Sequence, residues 1–230
     1  MIVVVGLPVY VSLADGEGGA GGLAVDVARA AVGRGRSVQL VGKIGDDGAG
    51  DAVVVALGRL GIGHSALLRD PVRPTPVLAA IEAPAEAGSG IDTAALAADE
   101  AGEEAPAGAK VLPEDPAGRP GLDAGDVSLA LSYVAGAGVV VLAEPLPEGA
   151  LSALVDGAAF SGAALVALVP AGTALPPLPA GATALEAPAV DDGSFARLVG
   201  EYAAGLDAGA DPAAAFEAAI AASGWEVAEG

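Results

Sequence analysis

Val41-Gly42-Lys43-Ile44-Gly45-Asp46-Asp47-Gly48-Ala49-Gly50-Asp51 reads as the end of a strand, a tight turn and the start of a helix. Residues 37–41 supply the strand. Gly45 makes the turn, and Asp46 or Asp47 stands where a carboxylate accepts hydrogen bonds from the first free amides of a helix. Residues 48–60 then carry Val53, Val54, Leu57 and Leu60 at helical spacing. A buried strand that runs straight into a capped helix is half of a βαβ unit. It predicts a mostly parallel sheet covered by helices on both faces.

The pattern extends in both directions. Residues 2–5 (Ile-Val-Val-Val) form a β-branched run ended by Gly6 and Pro8, as a buried parallel strand requires. Residues 15–22 read as a glycine-rich turn and 23–32 as a helix. Downstream, 66–68 and 77–81 read as short strands. From 82 to 120 the periodicity fails in a stretch rich in Ala, Glu, Gly and Pro, which predicts a flexible acidic excursion. Alternation resumes with a helix at 126–134, a strand at 139–143, a helix at 148–160 and strands at 164–169 and 183–185. Two final helices follow at 194–208 and 212–222, the last announced by Asp211 and Pro212. The expectation is one α/β domain over residues 1–230, a three-layer α/β/α sandwich.

Composition narrows the function. Hydrophobic residues are 53% of the chain but aromatics only 3%, so the core must be aliphatic and closely packed. The net charge is −20, and Lys43 and Lys110 are the only lysines. Nucleic acid and anionic membrane surfaces need clustered cations, so neither is an expected partner. There is no Cys and a single His, His64, which excludes thiolate chemistry and His-based metal clusters. With no basic leader before Ile2 and no apolar run of spanning length, the sequence predicts a soluble cytoplasmic protein.

Several blocks resemble the ribokinase-type (PfkB) carbohydrate kinases. Gly18-Gly19-Ala20-Gly21-Gly22 before a helix resembles that family's Gly-Gly motif beside the sugar. Residues 41–51 resemble its VGxxGxDxxG segment, and Leu60-Gly61-Ile62 and Pro74-Thr75-Pro76-Val77 fall where members have LxxxGV and xPTG. Residues 198–223 resemble the helix pair after the catalytic loop. The resemblance implies a ribokinase-like fold and an ATP- and Mg²⁺-dependent transfer of phosphate to a sugar or nucleoside hydroxyl. It also implies a ligand site at Gly18, Gly19, Gly21 and Gly22, and a nucleotide site at Gly193 and Ser194.

The chemical residues of that family do not match. Gly193-Ser194-Phe195-Ala196 stands where GAGD ends in the proton-accepting aspartate, so Phe195 or Ala196 takes the base position. Asp191 and Asp192 lie just before and are the candidate substitutes; their other reading is as caps of the following helix. The chain contains no Asn, so the NxxE motif that organises Mg²⁺ is missing and Glu186 is its acidic remnant. Val9 and Val11 stand at the polar pair that holds the sugar. The lid strands are expected to be reduced or absent, and strands near the nucleotide to be deleted. Asp47-Gly48-Ala49-Gly50-Asp51 spells DGAGD, but it sits inside the strand–helix turn described above and is expected to cap rather than catalyse.

Three functions follow. The first is a degenerate, non-catalytic kinase homologue that works by binding a protein partner or by self-association as a homodimer through a surface other than the lid. The second is an active kinase with Asp191 or Asp192 as base, using ATP and Mg²⁺. The third is a small-ligand module in a residual cleft. No metal site and no cofactor is assigned to the non-catalytic forms. His64 and Trp225 are expected to be structural, Trp225 docking the terminus on the core. Glu100, Glu103 and Glu104 are expected to lie in the solvated excursion.

Overall fold

The computed structural model describes residues 1–12, 18–79, 118–134, 136–189 and 191–225. Six strands form a parallel sheet: β1 (Ile2–Val5), β4 (Val38–Gly45), β5 (Gly63–Asp70), β7 (Val139–Leu142), β8 (Ala164–Pro170) and β9 (Thr183–Ala187). Their spatial order is β5-β4-β1-β7-β8-β9. β1 is central, with Val5 opposite Val41 of β4 on one side and Leu142 of β7 on the other.

Six helices cover this sheet: α1 (Leu23–Gly33), α2 (Gly48–Arg59), α3 (Ala124–Tyr133), α4 (Glu148–Ser161), α5 (Ser194–Asp207) and α6 (Pro212–Ser223). Successive strand side chains point to opposite faces. Ile2 and Val4 therefore join a core with Val27 of α1, Leu57 of α2, Val199 of α5 and Ala219 of α6. Val3 and Val5 join a second core with Val127 of α3 and Leu154 of α4. All four residues of β1 are fully buried. Each such aliphatic side chain contributes about 1.5–3 kcal/mol, which is why this strand is a continuous apolar run rather than an alternating one. Small residues let the helices close in: a Cβ on Gly200 of α5 would stand 2.7 Å from the Val27 carbonyl oxygen of α1.

A second sheet of three strands lies beside α2, in the order β3-β2-β6. Its strands are β2 (Val9–Ser12), β3 (Gly18–Gly21) and β6 (Val77–Ala79). β2 pairs antiparallel with β3 and parallel with β6. Where lid strands were expected to be reduced or absent, this small sheet stands. Gly18–Gly21 is strand, where the sequence predicts a turn. Four residues with almost no side chain give no strand signal of their own; pairing with β2 supplies the structure, and the Tyr10 ring lies over the bare Gly18.

Other differences are of boundary. The strand expected at 37–41 runs to Gly45, the one at 66–68 spans Gly63–Asp70, and the one at 183–185 reaches Ala187. Residues 80–117, most of the expected acidic excursion with Glu100, Glu103 and Glu104, lie outside the described residues. Among the described residues no helix is long and apolar enough to cross a membrane.

Candidate functional site at the carboxyl edge of the sheet

The chain leaves β1 toward β4 and β5, then returns to the other side of β1 with β7, β8 and β9. In parallel α/β sheets this reversal opens a crevice outside the carboxyl ends of the two central strands, where ligands bind. Here those ends are Gly6-Leu7 after β1 and Ala143-Glu144 after β7. Gly6 has to be glycine, because a Cβ would stand 2.8 Å from the Ala24 Cβ and 3.3 Å from that of Ala143.

Glu144 projects into this crevice, half-buried as a residue with its carboxylate enclosed. Its Oε1 accepts a hydrogen bond from the Leu7 backbone N–H at 3.2 Å. Burial pushes its pKa up. The Leu7 amide and the charge of Arg119 oppose that push, and the net direction is upward. The sequence reading missed this residue. The available signal was position alone: a single acid closing an apolar run, Val139 to Ala143, at the carboxyl end of a strand.

Besides Arg119, the described side chains nearby are apolar or already paired. Val9 is buried and Val11 half-buried. Lys43 of β4 is committed to Asp126, Nζ to Oδ2 at 2.7 Å. Asp126 in turn completes a capping box with Asp123 at the start of α3. Gly22 has φ +97° and lies against the Leu7 carbonyl oxygen, 3.4 Å from where its Cβ would be. Of the glycines expected at a ligand, Gly22 thus lies next to the crevice, while Gly18, Gly19 and Gly21 belong to β3 and pair with Ser12, Val11 and Val9.

At the start of α5 the structure brings the remaining candidates together. Gly193 is the N-cap residue in the left-handed region, φ +95°. Asp191 Oδ1 accepts from the N–H of Gly193 at 2.9 Å and of Phe195 at 3.0 Å, and its Oδ2 accepts from Ala196 at 3.1 Å. Asp192 is turned outward, and its Oδ1 accepts from the Ser194 N–H at 2.9 Å. Hydrogen bonds from the Ser194 hydroxyl and amide hold the Asp192 carboxyl below its ordinary pKa. Both acids accept from amides at the start of α5, so the helix-terminal amides that could face an incoming anion are taken by the chain's own carboxylates. Glu186, the expected acidic remnant, accepts from the Gly172 N–H at 3.0 Å.

The DGAGD run caps α2, as expected. Asp47 is the N-cap, with Oδ1 accepting from Gly50 N–H and the Thr75 hydroxyl and Oδ2 from Thr75 N–H, each at 2.8 Å. Asp51 pairs with Arg69 at 2.6 Å, and Arg69 also donates to the Gly45 carbonyl at 3.1 Å. His64 Nδ1 lies 3.2 Å from the Ile62 carbonyl oxygen. Trp225 packs on Phe195, ring centroids 5.5 Å apart, and docks the end of α6 on the core. Among the described residues no three His, Asp or Glu side chains are grouped to hold a metal ion.

The architecture is a parallel three-layer sandwich with a separate three-stranded sheet beside α2. No sequence family model matches the chain, and no curated protein does. Solved structures do. Ribokinase from Arabidopsis thaliana, complexed with ribose and ATP, superposes with TM-score 0.63 at 13% identity, over 96% of this chain and 90% of that one. A phosphofructokinase-2 variant from Escherichia coli gives 0.61 at 15% identity, over 96% and 91%. A sugar kinase from Pyrococcus horikoshii gives 0.50 at 14% identity, over 73% of this chain, which spans 52% of that kinase's length. The fold is ribokinase-like; the likeness at these identities is one of fold.

Proposed function

We propose that this protein is a non-catalytic member of the ribokinase-like fold, acting by binding rather than by phosphoryl transfer. The observation that carries this reading is the Asp191 carboxylate lying across the amides of Gly193, Phe195 and Ala196. In a kinase of this fold those amides would stabilise charge developing on the transferred phosphoryl group. Here a phosphoryl group would have to displace an internal anion first, and would then meet Phe195 or Ala196 where a proton acceptor is needed. The residues present do not fit ATP and Mg²⁺ in a transfer geometry, so no catalytic step is assigned. Asp192, the other substitute base, is bonded to Ser194 and faces solvent.

The test is a phosphotransfer assay with ATP, Mg²⁺ and a panel of sugars and nucleosides. No turnover above background is expected. Turnover at rates ordinary for sugar kinases, abolished in Asp192→Asn or Asp191→Asn, would establish a rebuilt active site instead. A second reading, a small-ligand module, is favoured by Glu144: a carboxylate is kept enclosed in the switch-point crevice at a cost, with one backbone donor beside it. Thermal-shift titration with nucleotides and sugars separates the two readings, since a ligand bound to the native state raises Tm in proportion to the logarithm of its concentration. The cytoplasm, one domain over 1–230 and a protein partner or second copy as the binding target remain part of this proposal.

A further inference from the structure

A cavity of about 220 Å³ opens at the carboxyl ends of β7 and β8, next to the switch-point crevice. The buried Leu142, Leu151 and Leu168 line it, with Leu146 and Pro170. Among the described lining residues Thr173 is the only one with a polar side chain, and its hydroxyl donates to the Pro170 carbonyl at 2.7 Å. Three of the lining residues are prolines, which have no N–H to offer. Three donors of the wall loop are spent: Ala171 N–H goes to the Ala187 carbonyl, Gly172 N–H to Glu186 and Thr173 N–H back to the Pro170 carbonyl. A phosphate or a polyhydroxylated sugar entering here would give up hydrogen bonds to water for few in return.

We propose that this cavity is a binding site for a small apolar molecule, one ring or a short alkyl chain in size. Water inside it has few partners, so an apolar guest that displaces it gains by burial without leaving a polar group unpaired. The volume suits such a guest; a 150 Å³ aliphatic cavity already admits benzene. The site is independent of the loss of catalysis, because no residue of the α5 cap lines it.

The experiment is a titration of the methyl-labelled protein with toluene and with indole, read by ¹³C methyl NMR, with D-ribose as the polar control. Saturable shifts are expected at Leu142, Leu146, Leu151 and Leu168 with the apolar probes and none with ribose. Ala174→Phe at the exposed rim should weaken toluene binding by about tenfold with Tm unchanged. Leu151→Ala should shift preference from toluene toward indole by enlarging the cavity. Three results would each overturn the proposal: shifts that never saturate, shifts equally large around the exposed Phe160 and Tyr133, or unchanged affinity in Ala174→Phe. No nucleotide enters the measurement, so kinase activity found in the separate assay would leave this result standing.

Discussion

Two helices of this protein begin with the same three letters, Asp-Asp-Gly, at 46–48 and at 191–193. At α2 the second aspartate caps, and its carboxylate also ties down a distant loop through the buried Thr75. At α5 the second aspartate faces solvent, Gly193 is the cap in a left-handed conformation, and the first aspartate reaches forward over three amides. The difference is what stands beside each turn. β6 brings Thr75 against the first, while the described partners of Asp191 are local amides alone. Identical local sequence thus gives a structural staple to a distant loop in one place and a purely local set of amide bonds in the other.

The comparison can be broken by substitution. Asp47→Ala has the largest expected effect. It removes a helix cap and leaves the buried Thr75 amide without its partner, a loss of about 3 kcal/mol and a fall of roughly 10 °C in Tm. The effect depends on pH. Burial raises the Asp47 pKa, but the Gly50 and Thr75 hydrogen bonds and the Arg69 charge outweigh it and hold the group below its ordinary value of 3.8. The stabilisation is therefore complete above 3.8 and is lost as pH falls through the depressed folded value. Urea unfolding of wild type and variant should converge in strong acid; a constant gap would show that Asp47 acts by packing alone.

Asp191→Ala comes next, at about 1–2 kcal/mol, because water can replace a half-buried cap more easily. If α5 is a filled cradle, this variant should also gain a sulfate- or phosphate-dependent rise in Tm that wild type lacks. Equal anion responses in the two proteins would remove the Asp191 carboxylate as the occupant of the cradle.

Glu144→Gln sharpens the contrast with the opposite sign. A raised folded pKa means the charged form costs stability, fully so above the folded value and not at all below the ordinary 4.5. The variant should be more stable at pH 8 by about 1 kcal/mol and equal to wild type below pH 4. A destabilised variant at pH 8 would mean that the Leu7 contact outweighs burial. Smallest of all, Asp192→Asn should leave Tm unresolved from wild type by scanning calorimetry; a clear drop would place Asp192 with Asp47 among the structural caps.

Much of the fold was legible in sequence for a simple reason. β1, β7 and β8 are buried on both faces, so they must be unbroken apolar runs, and α2 and α6 begin with side chains that satisfy their own first amides. β3 was illegible, since Gly18–Gly21 has no side-chain pattern to read. That 195–196 carries no acid was visible in the letters; the bonds Asp191 makes to the amides of Gly193, Phe195 and Ala196 were not, because they depend on Gly193 adopting a left-handed turn. Glu144 was invisible for a different reason. Nothing within ten residues of it carries a motif, and its partner Leu7 is 137 residues away.

Local chemistry, then, settled most of the helices and the buried strands of the central sheet. Tertiary structure alone decided that Asp47 also holds the Thr75 loop and that Glu144 is enclosed at the switch point. Hydrogen bonds and desolvation depend on what distant segments bring within about 3 Å, and a sequence read by itself carries no distances between segments.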